Sequence, residues 1–209
     1  MDNIVQKYFQ LTSLQKDKIS LMFHVYSEWN KKVNLISRKD FPCFYERHVL
    51  HSLSIAKFFS FNESTHIMDL GSGGGFPGVP LAIQFPQVHF FLVDSIRKKT
   101  DTLKSIVNRL SLPNVTVLNQ RAEDISHTFD FVICRAVARL SVLDAWTKGL
   151  ISSKNKHSFE NGLICLKGGD LSNEIKGLEN RVQIFNISDS FQEDFFSEKK
   201  ILYLKSQSI

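Results

Sequence analysis

The chain reads as an α/β protein: a mostly parallel, seven-stranded sheet with helices on both faces, preceded by a helical cap. Three observations carry that reading. From Thr65 onward, short apolar runs alternate with helical stripes, the pattern of a parallel sheet with crossover helices. A glycine-dense turn, G-S-G-G-G at 71–75, directly follows the first of those runs. Two further helical stripes stand ahead of it.

Taken in order, the first stripe covers 13–32, with Leu14, Leu21, Met22, Val25 and Trp29 on one face. A second helix is predicted over 48–59, where Val49, Leu53 and Ala56 share a face. These two make the cap, which divides the chain into an N-terminal part at 1–62 and one compact unit at 63–209. Strands are predicted at 66–70, 88–94, 115–118, 129–134 and 162–166, then at 182–187 and 200–204. After the glycine turn, Pro77 and Pro80 open an amphipathic helix, as proline does in a first helical turn. The clearest crossover helix places Ile96, Thr100, Leu103, Val107 and Leu110 at i, i+4, i+7, i+11 and i+14. The polar run 152–161 reads as an exposed loop, and the last two strands as an antiparallel hairpin at the end of the sheet.

Length and composition bound the rest. With 209 residues, 43% of them hydrophobic, there is enough chain for one well-buried domain. The 18 phenylalanines are core residues on this reading. No apolar run reaches the roughly 18 residues of a membrane span, and no basic-then-apolar leader opens the chain. Cys43, Cys134 and Cys165 are far apart and lack metal-type spacing, so no metal is expected and a reducing cytoplasm fits. The expected assembly is a monomer. A net charge of +5 suits a polyanionic partner.

In such a sheet, ligands sit beyond the carboxyl ends of the strands. The first strand ends in Asp69 and Gly71, and its glycines allow positive φ and close approach of a ligand to bare backbone. Two nucleotide-type ligands compete for this turn. Gly73, Gly75 and Gly78 satisfy the G-x-G-x-x-G dinucleotide pattern, with Asp94 as the ribose acid. Asp69, however, would face a pyrophosphate at close range. S-adenosylmethionine carries a sulfonium and an ammonium instead, so an acid beside the turn favours it. An acid before G-x-G-x-G, with a second at the end of the next strand, looks like the class I methyltransferases.

The third strand runs into R-A-E-D at 121–124. Ala122 and Glu123 are candidate adenine-side contacts, while Asp124 is either an acceptor for the adenine amino group or a helix cap. The fourth ends in C-R-A-V-A-R at 134–139. Arg135 there orients the cofactor, holds a phosphate or makes a structural ion pair. Cys134 is a buried packing thiol, with the nucleophile of a cytosine-C5 methyltransferase as its rival reading. The fifth strand leads to Lys167, which either reaches substrate at the cleft rim or is solvated.

Longer motifs then fall into place. W-N-K-K-V-N-L at 29–35, R-H-V-L-H-S-L at 47–53 and D-L-G-S-G-G-G-F-P-G-V-P-L-A at 69–82 are followed by L-V-D-S at 92–95 with Lys98, N-V at 114–115, R-A-E at 121–123, R-A-V-A at 135–138 and L-K-G at 166–168. In this order, across nearly the whole chain, they resemble the GidB (RsmG) family, which makes 7-methylguanosine in small-subunit ribosomal RNA. The family's usual Asp, Ser and Thr are here His51, Cys134 and Ile36, and its usual Arg and Phe are Lys99 and Thr102.

The resemblance implies S-adenosyl-L-methionine as cofactor, with contacts at Gly71, Phe76, Ala122, Glu123 and Arg135. The glycine turn itself adds Gly73, and the general ribose position of the fold adds Asp94 and Ser95. It further implies 16S rRNA, or a small ribosomal subunit or its assembly intermediate, as partner. Arg47, His48 and Lys167 are candidate RNA contacts, in a basic wall that also holds Lys31, Lys32, Arg38 and Lys39. The helix bearing Arg97, Lys98, Lys99, Lys104 and Arg109 is a second such wall. No residue is assigned a role in bond making; Arg135 and Lys167 are candidates for orienting substrate. A nicotinamide oxidoreductase and a noncatalytic RNA-binding factor remain as alternatives.

Overall fold

The computed structural model describes residues 3–206, so the extreme ends of the two expected units, 1–2 and 207–209, lie outside the described residues. The N-terminal helices are α1 (Asn3–Tyr8) and α2 (Ser13–Asn30). Thr12 caps α2 in a reciprocal capping box with Gln15. The buried face of α2 is Ile19, Met22, Val25 and Tyr26; of the expected stripe Met22 and Val25 are on it and Trp29 packs partly buried beside it, whereas Leu14 and Leu21 are exposed. Tyr26 decides this face by reaching inward to donate its hydroxyl to the Gly74 carbonyl at 2.8 Å.

The helix expected at 48–59 is broken. A widened π turn spans Tyr45–Leu50, then α3 (His51–Leu53) and α4 (Ile55–Phe58) follow. Ser52 and Ser54 donate their hydroxyls back to the His48 and His51 carbonyls, which competes with a regular ladder.

The strands are β1 (His66–Leu70), β2 (His89–Val93), β3 (Val115–Leu118), β4 (Phe131–Arg135), β5 (Gly162–Gly168), β6 (Val182–Asn186) and β7 (Lys199–Lys205). They form one sheet in the order β3-β2-β1-β4-β5-β7-β6. The first five strands are parallel, and β7 lies antiparallel between β5 and β6. The remaining helices are α5 (Gly78–Gln84), α6 (Arg97–Arg109), α7 (Leu140–Thr147) and α8 (Ser172–Ile175). Two departures are physical. α5 is buried from Gly78 to Ile83 instead of amphipathic, because it is sandwiched between cap and sheet. Ile96 caps α6 from outside and stays exposed, while Thr100, Leu103, Val107 and Leu110 are buried as expected.

Side-chain alternation along the strands builds two cores. Ile67, Phe131, Ile133 and Ile164 pack with the N-terminal helices, whereas Met68, Val132, Cys134 and Cys165 face Leu140 and Leu143 of α7. Asp69 and Arg135 therefore belong by parity to the cap-side face. Between β6 and β7 the connection buries Ile187, Phe191 and Phe196, anchoring the C-terminal hairpin to the cap-side core.

Candidate active site

β1 ends in a turn whose glycines have separate tasks. Gly71, Gly73 and Gly75 have φ of +66°, +54° and +89°, a region that costs any other L-residue about 1–2 kcal/mol. A Cβ on Gly75 would lie 2.7 Å from Leu103 and Val79, so this glycine serves close packing and not a ligand. At Gly73 a Cβ would meet only the Gly71 carbonyl, at 3.8 Å.

Asp69 is wholly buried beneath the turn, where its Oδ2 accepts the Gly78 N–H at 2.8 Å and its Oδ1 has no partner. Burial pushes its carboxyl up to about 7, against the pull of that hydrogen bond and of Arg135. Gly78 is in the first turn of α5, the place a pyrophosphate would take in a dinucleotide site. With Asp69 already on that amide, phosphate binding is disfavoured sterically and electrostatically.

Asp94 stands at the end of β2. Its Oδ2 accepts the Gly73 N–H at 2.9 Å and its Oδ1 the Ile96 N–H at 2.8 Å, while Asn119 donates to its carbonyl. A carboxylate has about four lone-pair positions, so one per oxygen remains for ligand hydroxyls. Gly71, Asp94, Ser95, Ala122 and Glu123 line one cavity of about 240 Å³. Leu70, Val137 and Trp146 supply its apolar walls. Its volume is below the roughly 300–1,000 Å³ of a site for a whole drug-sized ligand, so it suits the nucleoside part of a larger one. Flat apolar walls beside a carboxylate with free lone pairs fit the adenosine of S-adenosylmethionine. Trp146, in α7, has no motif around it and was missed. Asp124 is exposed and makes no side-chain hydrogen bond among the described residues, so neither reading of it gains a contact.

Phe76 and Arg135 do not line this cavity. The Phe76 ring is buried against Tyr26, Phe44 and His48, with Arg135 above it at 5.3 Å. Arg135 instead faces a second cavity, of about 450 Å³, together with Arg47, His48 and Lys167. The two cavities part at the end of β4, where Ala136 adopts φ +55° and turns Val137 toward one and Arg135 toward the other. Strain of this kind in a non-glycine residue collects at functional sites.

Arg135 donates to the Arg47 carbonyl at 3.2 Å and to His48 Nδ1 at 3.1 Å. Burial lowers its pKa to about 10, partly offset by Asp69, and leaves it cationic at neutral pH. Burial and then Arg135 hold His48 down at about 4, so the imidazole is neutral, with its proton on a partnerless Nε2. Lys167 is neither a free rim cation nor a solvated one. It is paired with Glu174 and donates to the Ala138 carbonyl at 2.6 Å. Arg47 is paired with Asp40 at 2.9 Å. Lys31, Lys32, Arg38 and Lys39 are exposed on the cap, and Arg109 of α6 is engaged by Glu28. Cys134 and Cys165 are buried cross-strand neighbours with sulfurs 3.3 Å apart, and Cys165 and burial raise the Cys134 thiol, which leaves no reactive thiolate.

The sheet order and glycine turn are those of the class I S-adenosylmethionine-dependent methyltransferase fold. A methyltransferase of that kind from Aquifex aeolicus matches with a TM-score of 0.57 at 18% identity, over 79% of this chain and 94% of that one. At the level of sequence, the family model described as rRNA small subunit methyltransferase G matches residues 15–203, and the chain belongs to this GidB family. Proteins named ribosomal RNA small subunit methyltransferase G are 47% identical in Christiangramia forsetii, over 96% of this chain and 95% of that protein, and 47% identical in Bacteroides thetaiotaomicron, over 96% and 98%. Family membership sets the nicotinamide alternative aside.

Proposed function

We propose that this chain transfers a methyl group from S-adenosylmethionine to N7 of a specific guanine in 16S (small-subunit) ribosomal RNA. The observation that carries the reading is the meeting of two unlike cavities at Ala136, one with a carboxylate and apolar walls, the other lined by cations. Bound in the first, S-adenosylmethionine supplies an electrophilic methyl group. Gly71, Asp94, Ser95, Ala122 and Glu123 hold it; Gly73 acts through Asp94, and Phe76 supports the turn. The cationic cavity receives RNA, with Arg135 at the shared wall.

Guanine N7 attacks through a lone pair and loses no proton, so no general base is required. Catalysis then rests on aligning nitrogen, methyl carbon and sulfur, which in favourable systems supplies roughly 7–11 kcal/mol. The target base has to be unstacked, as in an RNA loop. On this reading the substrate is 16S rRNA, free or within an assembling subunit, and the enzyme acts on it in the cytoplasm as a monomer.

Nucleotide mapping by mass spectrometry on 16S rRNA from a deletion strain tests this directly. One 7-methylguanosine should be missing and should return when the protein and S-adenosylmethionine are added. A complete modification set in the deletion strain, a protein that binds rRNA without restoring methyl, or a missing C5-methylcytosine instead, each defeats the reading.

A further inference from the structure

One wall of the cationic cavity comes from the C-terminal hairpin, through Phe195 and Lys199. The Phe195 ring carries two cations, Lys199 Nζ at 4.9 Å and Arg47 Cζ at 5.6 Å from its centroid. Its edges meet His51 and the buried Phe196, with centroids 5.4 and 5.1 Å away. The ring is thus fixed by packing, and through cation–π attraction it fixes the cations. With two cations in reach, the ring serves them and offers no free platform to a base.

The charges around the cavity are unbalanced. Four cations, Arg47, Arg135, Lys167 and Lys199, line it with a single carboxylate, Asp40. Asp40 is taken by Arg47, and Lys167 is matched from outside the lining by Glu174. Among the described residues, Arg135 and Lys199 form no ion pair. Holding unpaired like charges at one half-buried cavity is unfavourable until an anion enters. Arg47 Nε is buried there without a partner, a further donor awaiting an acceptor.

We propose that Lys199 binds a phosphodiester of the substrate RNA and that Phe195 is its positioning residue, making the C-terminal hairpin part of the RNA interface. The inference rests on the ribosomal-RNA reading above and adds a third chain segment to it. Geometry favours a diester of the polymer over the carboxylate of the cofactor, because β7, which carries Lys199, is separated by β5 from β4, whose end leads to Val137 and the acid-lined cavity.

The test measures dissociation constants for 16S rRNA transcript at several KCl concentrations, with S-adenosylmethionine titrated separately. Lys199→Gln should flatten the slope of log affinity against log salt by roughly 1 and raise the KM for RNA, with kcat and cofactor affinity kept. Lys199→Arg should restore the slope. Phe195→Leu keeps every charge, so it should weaken binding with the slope unchanged, provided its melt confirms folding. Lys154→Gln, in the exposed loop before β5 at the opposite end of the strands, is the control and should change nothing.

An unaltered slope in Lys199→Gln, an equal drop in Lys154→Gln, or a loss of cofactor affinity in Lys199→Gln overturns the proposal. Unchanged RNA binding in Phe195→Leu withdraws the positioning role. Failure of the functional reading looks different: wild-type protein would then place no methyl group on 16S rRNA at all.

Discussion

The acid-lined cavity beyond Asp94 and the cationic cavity beside Arg135 share the end of β4 but are built in opposite ways. In the first, a carboxylate is fixed by backbone: Asp94 holds the amides of Gly73 and Ile96, while beneath the turn Asp69 holds that of Gly78. Its lining comes from the ends of β1 to β4 and from Trp146 of α7. The second joins α3 and the turn before it to the ends of β4, β5 and β7, and it leaves donors and charges without partners. A site for a small, invariant ligand can be preorganised locally. One for a polyanion keeps its charge uncompensated until the partner arrives.

The largest effects should fall on the preorganised side, and two glycines separate its fold from its function. Gly75→Val would drive a Cβ into Leu103, Val79 and the Tyr26 hydroxyl at a φ of +89°. Overpacking costs about 1–3 kcal/mol and a left-handed residue about 1–2, so a loss of roughly 2–5 kcal/mol is expected in denaturant melts. Gly73→Val meets open space and should lose only roughly 1–2 kcal/mol, yet abolish S-adenosylmethionine binding, because a β-branched residue relaxing from a φ of +54° moves the N–H that holds Asp94. Equal melts for the two variants would erase the distinction between a packing glycine and a site glycine.

That division also explains what was legible in the sequence. Asp69 through Gly78 and the end of β2 form one site within a short span of chain, so the glycine pattern and strand ends expose it. The strand positions follow from apolar runs, and only their edges shift. By contrast, Arg135 meets His48 across 87 residues. Lys199 joins them only because β7 inserts between β5 and β6, which no local periodicity encodes. The pairing of Lys167 is illegible for a related reason: its partner Glu174 lies in α8, a short helix with no stripe to read. α5 was misread as amphipathic because the cap that covers its outer face lies far earlier in the chain.

Next in size are paired substitutions across the two cavities. Asp94→Ala removes ligand hydroxyl contacts worth about 1.5–3 kcal/mol to a charged acceptor, so cofactor affinity should fall by roughly ten- to hundredfold. Its RNA salt slope should not move. Lys167→Met should act on neither ligand's slope, because Glu174 already neutralises the ammonium; it should instead lower stability by roughly 1–3 kcal/mol by stranding that carboxylate. Calorimetry with the cofactor, RNA titrations in salt and a thermal melt on each variant separate the three outcomes. A flattened salt slope in Lys167→Met would return that residue to the RNA contacts.

The smallest effect is a tilt in stability with pH, because the acid buried beneath the glycine turn and the imidazoles of the cationic cavity pull in opposite directions. Asp69, raised to about 7 by burial, binds its proton more tightly in the folded state than in the unfolded one. Its ionisation therefore costs stability as pH rises from about 4 to 7. His48, lowered to about 4 by burial and Arg135, binds its proton less tightly when folded. Stability from that residue grows with pH over the interval from about 4 to 6.5, and His51, also lowered, adds in the same sense. With two imidazoles set against one carboxyl, wild-type stability should thus rise modestly from pH 5 to 6.5. Asp69→Asn, whose amide oxygen can still accept the Gly78 N–H, should rise more steeply than wild type over that interval, and His48→Asn less steeply. Because His48 is already neutral at pH 6, its RNA salt slope should be the same there as at pH 7.5. A slope steeper by about 1 at pH 6, absent in His48→Asn, would make the imidazole a titrating member of the cationic cavity and remove one side of the opposition.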